Sequence, residues 1–211
     1  MTKRLILAGT ILIFAASGIC YLFWVQEIQY SRPTPIPQDY REVPVSSVLD
    51  LQSAIRNPEK KAVFLHFFNP ECPCSRFNTK HVNYLIDQYR NDVLFKVVIP
   101  FGADLTLAKD YFGANVELIE DKENGSLAET CGVYSTPQAV IIDQNQHLYY
   151  RGNYNKSRYC TQIGSNYAEL ALQSVIAQKP LPDFSQLATT AYGCQYFDEN
   201  TLSGLSELLL N

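Results

Sequence analysis

Two segments of this 211-residue chain are apolar almost without interruption: Ala62 to Phe68 reads AVFLHFF and Val93 to Ile99 reads VLFKVVI. A strand sends alternate side chains to opposite faces, so a strand apolar at nearly every position must be covered on both. Between them, Ser75 to Arg90 places Phe77, Val82, Leu85, Ile86 and Tyr89 at helical spacing. Strand, helix and strand in that order make a parallel pair joined by a crossover. The alternation continues. Asp104 to Phe112 predicts a short helix with Asp104 as its N-cap. Val116 to Ile119 reads as a strand and Ser126 to Cys131 as a short helix. Ala139 to Asp143 and His147 to Arg151 form a hairpin across the polar turn Gln144-Asn145-Gln146. Ile163 to Ala177 is an amphipathic helix. Upstream, Val48, Leu49, Leu51 and Ile55 make a helical stripe ended by Asn57-Pro58. The order αβαβαβαββα predicts an α/β domain, a central mixed β-sheet flanked by helices.

The N-terminus is of a different kind. Lys3 and Arg4 precede an uncharged run from Leu5 to Val25, and about 20 helical residues cross a bilayer core. Positive charge before the run places the N-terminus in the cytoplasm and the rest of the chain on the far side. A cleaved signal peptide is the other reading, with Ala16-Ser17-Gly18 as the small-residue site, although apolar residues continue through Val25. Pro33, Pro35, Pro37 and Pro44 favour an extended stand-off linker. The organisation expected is an anchor over 1–27, a linker over 28–44, one domain over 45–179 and an extension over 180–211. Leu202, Leu205, Leu208 and Leu209 suggest a last short helix. With 17 Lys+Arg against 21 Asp+Glu, the chain lacks the basic excess of a nucleic-acid binder.

The chemistry concentrates at Cys72-Pro73-Cys74, between the first buried strand and the helix after it. Unpaired backbone N–H groups and the helix dipole stabilise an anion there. A thiol at that point becomes more acidic and more nucleophilic. Arg76 adds positive charge nearby and Glu71 opposes it. Two thiols one residue apart suit a reducible disulfide; an inert pair and a metal-binding pair are the alternatives.

The segment FLHFFNPECPCSRF, the element Gly132-Val133-Tyr134-Ser135-Thr136-Pro137, and the hairpin ending in Tyr149-Tyr150-Arg151-Gly152 together resemble the thioredoxin superfamily, in its membrane-anchored thiol-disulfide oxidoreductase and redoxin branch. The resemblance covers roughly Val45 to Ala177. It implies a thioredoxin-like fold, a bacterial inner-membrane anchor with the domain in the periplasm, and disulfide exchange with no cofactor and no metal. The partners implied are proteins or small molecules carrying thiols or disulfides, and a redox partner of unidentified kind. Cys72 takes the place of the nucleophile, and Cys74 resolves the mixed disulfide. Pro137 takes the place of a cis proline that exposes the Thr136 backbone to substrate, and Pro73 borders the same surface. His66 stands where many relatives keep a buried carboxylate that takes a proton from the resolving thiol, or else is a packed strand histidine. One departure stands out: the family has two residues between its cysteines and this chain has one.

Beyond Cys20, five cysteines remain, an odd number. Cys131 reads as a buried thiol. Cys160 and Cys194 flank the last helix, and a structural disulfide between them would staple the tail. The alternative returns Cys194 to the active site as a third redox thiol, and Gly193-Cys194 resembles the Gly-Cys near the end of some bacterial redoxin-like proteins. Two other functions compete with disulfide exchange. One is a Cu(I)-binding chaperone, since soft thiolates select that ion. The other is a partner-binding domain without catalysis.

Overall fold

β1 (Ala62–Phe67) is buried at every position and lies in the middle of a five-stranded sheet. The computed structural model describes residues 2–28, 32–51, 54–114, 116–157 and 163–197. β2 (Val93–Ile99) and β3 (Glu117–Glu120) run parallel to β1 on one side, and β5 (Gln138–Ile142) and β6 (Leu148–Gly152) continue antiparallel on the other. The sheet order is β3-β2-β1-β5-β6. Helices α2 (Pro73–Tyr89), α3 (Leu105–Phe112), α4 (Ser126–Cys131) and α5 (Tyr167–Ile176) connect or follow these strands. This is the thioredoxin-like arrangement. Local chemistry sets the helix ends. Asp104 Oδ1 accepts from the Thr106 and Leu107 amides at the start of α3. α4 stops at Gly132, whose φ of 67° is left-handed.

The alternation along β1 divides the core. Phe64 joins Val82, Leu85 and Ile86 of α2 and Ala168, Ala171 and Leu172 of α5. Val63, Leu65 and Phe67 face the opposite way, against Leu127, Ala128 and Cys131 of α4. Leu49, Leu51 and Ile55 complete that second cluster. The helix expected there does not form over the described residues. Ser46 takes a φ of 72°, and Val48 bridges to His147 as an antiparallel edge. The Ser46 amide donates to the Leu148 carbonyl and the Leu49 amide to that of Gln146. An open edge beside β6 supplies hydrogen bonds that outweigh a marginal helical stripe.

α1 (Thr2–Phe23) is long and apolar enough to cross a membrane and buries none of its apolar window against the protein. The proline-rich segment does not stand off the domain. Thr34 is buried, the Tyr40 hydroxyl donates to the Gly132 carbonyl at 3.1 Å, and Arg151 Nη1 donates to the Val43 carbonyl at 2.8 Å. Residues 184–197 pack on the domain as well. Tyr150 Oη donates to the Ala188 carbonyl, and Asn153 Nδ2 donates to those of Leu187 and Thr190. The helix suggested by Leu202 to Leu209 lies outside the described residues.

Candidate active site

β1 delivers the chain to the site, and the turn beyond it is set by Asn69, whose Oδ1 accepts from the Glu71 amide at 2.9 Å. Ser75 Oγ, fully buried, accepts from the Asn69 amide at 3.3 Å. Cys72 then occupies the N-cap of α2 with an extended backbone, and Pro73 starts the helix. Proline fits there because its fixed φ suits a first helical turn and its missing N–H would have had no partner. Cys74 sits inside the first turn, buried, and borders a cavity of about 370 Å³ with Asn78, Pro137 and Tyr154. The helix N-terminus therefore meets Cys72 first, as the strand-to-helix pattern predicts.

Facing Cys72 is the Thr136–Pro137 peptide, which is cis. Cys72 Sγ lies 3.7 Å from the Thr136 carbonyl oxygen. Thr136 belongs to a two-residue strand, β4 (Ser135–Thr136), and that strand is occupied. β7 (Cys194–Gln195) pairs with it antiparallel, Thr136 opposite Cys194 and Ser135 opposite Gln195. The register extends through the Tyr196 amide, which donates to the Tyr134 carbonyl at 2.9 Å.

Cys194 is bonded to Cys72, with the two Cα atoms 6.1 Å apart. This corrects the expected Cys160–Cys194 staple: the pairing of β7 with β4 carries Cys194 to the start of α2. Cys160 lies outside the described residues. It also changes the expected oxidised pair. Cys74 carries its thiol outside this disulfide. Residue spacing cannot reveal this, because the bonded positions are 122 residues apart and meet only through the pairing of β7 with β4.

The bond is shielded. Cys72 is 2% exposed and Cys194 half-buried. Past Cys194, Tyr196 is buried with its ring centroid 5.6 Å from that of Phe67, and its hydroxyl donates to Asp121 Oδ2 at 3.1 Å. The same carboxylate accepts from the Leu127 and Ala128 amides at the start of α4. On the other side of the tail, Thr34 donates its amide to the Ala191 carbonyl at 2.9 Å, and Pro33 bridges to Tyr192. The tail thus lies between residues 33–34 and β4. Thr34, Tyr196 and Asp121 carry no signal in the sequence that marks them as site residues, and Ser135 and Gly193 stand out there only as parts of motifs that resemble the thioredoxin superfamily.

His66 is fully within the aromatic side of the core. Its Nδ1 pairs with the Tyr154 hydroxyl at 2.7 Å, and Phe68, Phe112 and Tyr154 surround the ring. Burial pulls the imidazole down to about 3, against the opposite influence of the Gln138 backbone. At neutral pH it is an uncharged, weakly basic imidazole packed among aromatic rings. Cys131 is also fully buried, and burial, with Asp121 nearby, pushes its thiol well above the ordinary range. It is inert at neutral pH.

The family model described as "Domain of unknown function (DUF6436)" matches residues 45–196, a span that includes both bonded cysteines. No curated protein matches the chain. Among solved structures, an uncharacterized conserved protein from Geobacillus kaustophilus is similar with a TM-score of 0.60 and 18% identity, over 77% of this chain and 97% of that one. A hypothetical protein from Sinorhizobium meliloti 1021 gives 0.59 and 15%, over 74% and 96%. The thioredoxin domain of a thiol-disulfide oxidoreductase from Bacteroides vulgatus gives 0.45 and 13%, over 57% and 96%.

Proposed function

We propose that this chain, which belongs to the family described as "Domain of unknown function (DUF6436)", is a thiol-disulfide oxidoreductase with Cys72 as its nucleophile and Cys194 as its redox partner. The observation that carries the reading is the disulfide itself, placed at the N-terminus of α2 and beside the Thr136 backbone. A thiolate released at a helix N-terminus is a good leaving group and persists as a nucleophile.

The exchange needs no cofactor. A donor thiolate attacks the half-buried Cys194 sulfur, and Cys72 leaves as a thiolate. The donor's second thiolate attacks the donor sulfur bonded to Cys194, closing the donor disulfide and releasing Cys194. Two electrons have entered the protein. The Cys72 thiolate then attacks a substrate disulfide and expels one substrate thiolate. Cys194 attacks Cys72 and expels the other, which restores the starting bond. The same steps run in reverse oxidise a dithiol.

The reading includes anchoring by α1 in a bacterial inner membrane, with the N-terminus cytoplasmic and the domain in the periplasm. The apolar helix preceded by Lys3 and Arg4 supports that orientation. So does a disulfide, which persists in an oxidising compartment.

The test is electron transfer from dithiothreitol to a model protein disulfide. Wild type accelerates it, Cys72→Ser abolishes the acceleration, and Cys194→Ser lowers turnover while accumulating mixed disulfide on Cys72. Unchanged acceleration in Cys72→Ser would sink the proposal.

A further inference from the structure

The tail is placed as an incoming polypeptide would be. From Cys194 to Tyr196 it runs along Tyr134 to Thr136, takes the backbone groups of that edge, and sets a cysteine sulfur on Cys72. Its fit has a steric filter. Gly193 has a φ of 145°, and a Cβ there would fall 2.0 Å from the Thr136 carbonyl oxygen and 2.9 Å from its carbon. Both are backbone atoms of the strand that faces Cys72, so they cannot swing aside. Two residues after the cysteine, the Tyr196 ring fills a pocket against Phe67 and reaches Asp121. A chain lying here is therefore read at two positions, glycine before its cysteine and a phenol two residues after it.

We propose that residues 191–197 are a tethered imitation of the protein's own partner. The partner is an extended polypeptide carrying Gly-Cys-x-Tyr, antiparallel to β4, and the tail and the partner exclude each other from that edge. The inference rests on the exchange chemistry proposed above and adds who exchanges. While Cys72 and Cys194 are bonded, the edge is closed. A donor dithiol that reduces the bond, itself becoming a disulfide, frees the tail to pivot beyond the Asn153 contacts at Leu187 and Thr190. Cys72 then attacks the partner's disulfide at the glycine-flanked sulfur, and the partner's other sulfur leaves as a thiolate. When Cys194 attacks Cys72, the returning strand displaces the partner strand as the partner's remaining thiolate departs. Bond exchange and strand exchange are one event.

The experiment uses the full chain with Cys194→Ala, reduced, and three hexapeptides as probes, each carried as a mixed disulfide with thionitrobenzoate. The first copies the tail, Ala-Tyr-Gly-Cys-Gln-Tyr. The second replaces its glycine by alanine, and the third its last tyrosine by alanine. Intact-mass kinetics report peptide attached to Cys72. The copy attaches about tenfold faster than either relative, a difference of roughly 1.4 kcal/mol. Adding Gly193→Ala to the protein dislodges the tail and speeds attachment of the copy by a similar factor. Should Cys194→Ala not fold, wild type reduced with a phosphine gives the same peptide ratios. Equal rates for the three peptides, or no gain from Gly193→Ala, overturn the proposal. A parallel reaction with a small aromatic disulfide separates the two readings. If Cys72 reacts with it but does not discriminate among peptides, only the partner proposal falls. If Cys72 reacts with neither, the exchange chemistry falls as well.

Discussion

Thr34 and Ser135 join hydroxyl to hydroxyl at 2.8 Å, 101 residues apart in sequence and both buried. The contact makes the proline-rich segment part of the domain, because it closes the far side of the tail that covers Cys72.

A chain beginning at Val45 should therefore be less stable than one beginning at Arg32. It loses the two hydrogen bonds that Thr34 makes to Ser135 and Ala191, the Tyr40 bond to Gly132, and the Arg151 bond to Val43. At about 0.5–1.5 kcal/mol net for each, the deficit is about 2–6 kcal/mol. Urea unfolding of the two chains measures it. Equal midpoints would show that residues 32–44 add nothing to the fold.

Opening the disulfide should also destabilise the fold. Its sulfurs close a loop of 122 residues, for which the chain-entropy relation gives about 5 kcal/mol. In a domain of this size that corresponds to a fall in Tm of roughly 10–20 °C. Calorimetry of oxidised wild type against Cys194→Ser reads the difference directly.

His66 makes stability depend on pH in the acid range. Its folded pKa of about 3 lies below the unfolded value of 6.5, so the unfolded chain binds the proton first. Stability is whole above pH 6.5 and declines as pH falls toward 3, by up to about 1.4 kcal/mol per unit. His66→Gln removes this contribution. The difference in urea midpoint between pH 7 and pH 5 should shrink in the variant. An unchanged difference would mean that His66 is solvated or already charged.

Tyr196→Phe keeps the ring against Phe67 and removes the bond to Asp121, which still caps α4. That bond exists only with the tail in place. Its loss, about 1 kcal/mol, shifts the Cys72–Cys194 equilibrium about fivefold toward the dithiol. Redox titration in glutathione buffers measures the shift, and a constant equilibrium would detach Tyr196 from the latch.

The parts of this fold legible from the sequence are those set by neighbours along the chain. Two-faced apolar strands such as AVFLHFF demand helices on both sides, and Asp104 and Pro73 mark helix starts by local hydrogen bonding and fixed φ. Cys72 at the end of a buried strand was legible for the same reason. The segment around Val48 misled because its apolar spacing suits either a helix or an edge, and only the hairpin beside it decides. For Cys194 the sequence admits two options, a staple to Cys160 or a return to the active site. Nothing near position 194 in sequence states that it faces Thr136, and the one local trace, Gly193, acquires meaning only once the Thr136 carbonyl is seen above it.

Tying residue 72 to residue 194 makes the intervening chain a covalent ring. Strands β2 to β6 all lie within it, whereas β1, the middle strand of the sheet, is supplied by the arm that enters it. A protease that cuts once in the exposed turn after Asp121 opens the ring but releases no fragment. The nicked molecule keeps its mass on a non-reducing gel and falls into two pieces only when thiol is added. Whatever reduces this protein thus also decides whether a single cut divides it.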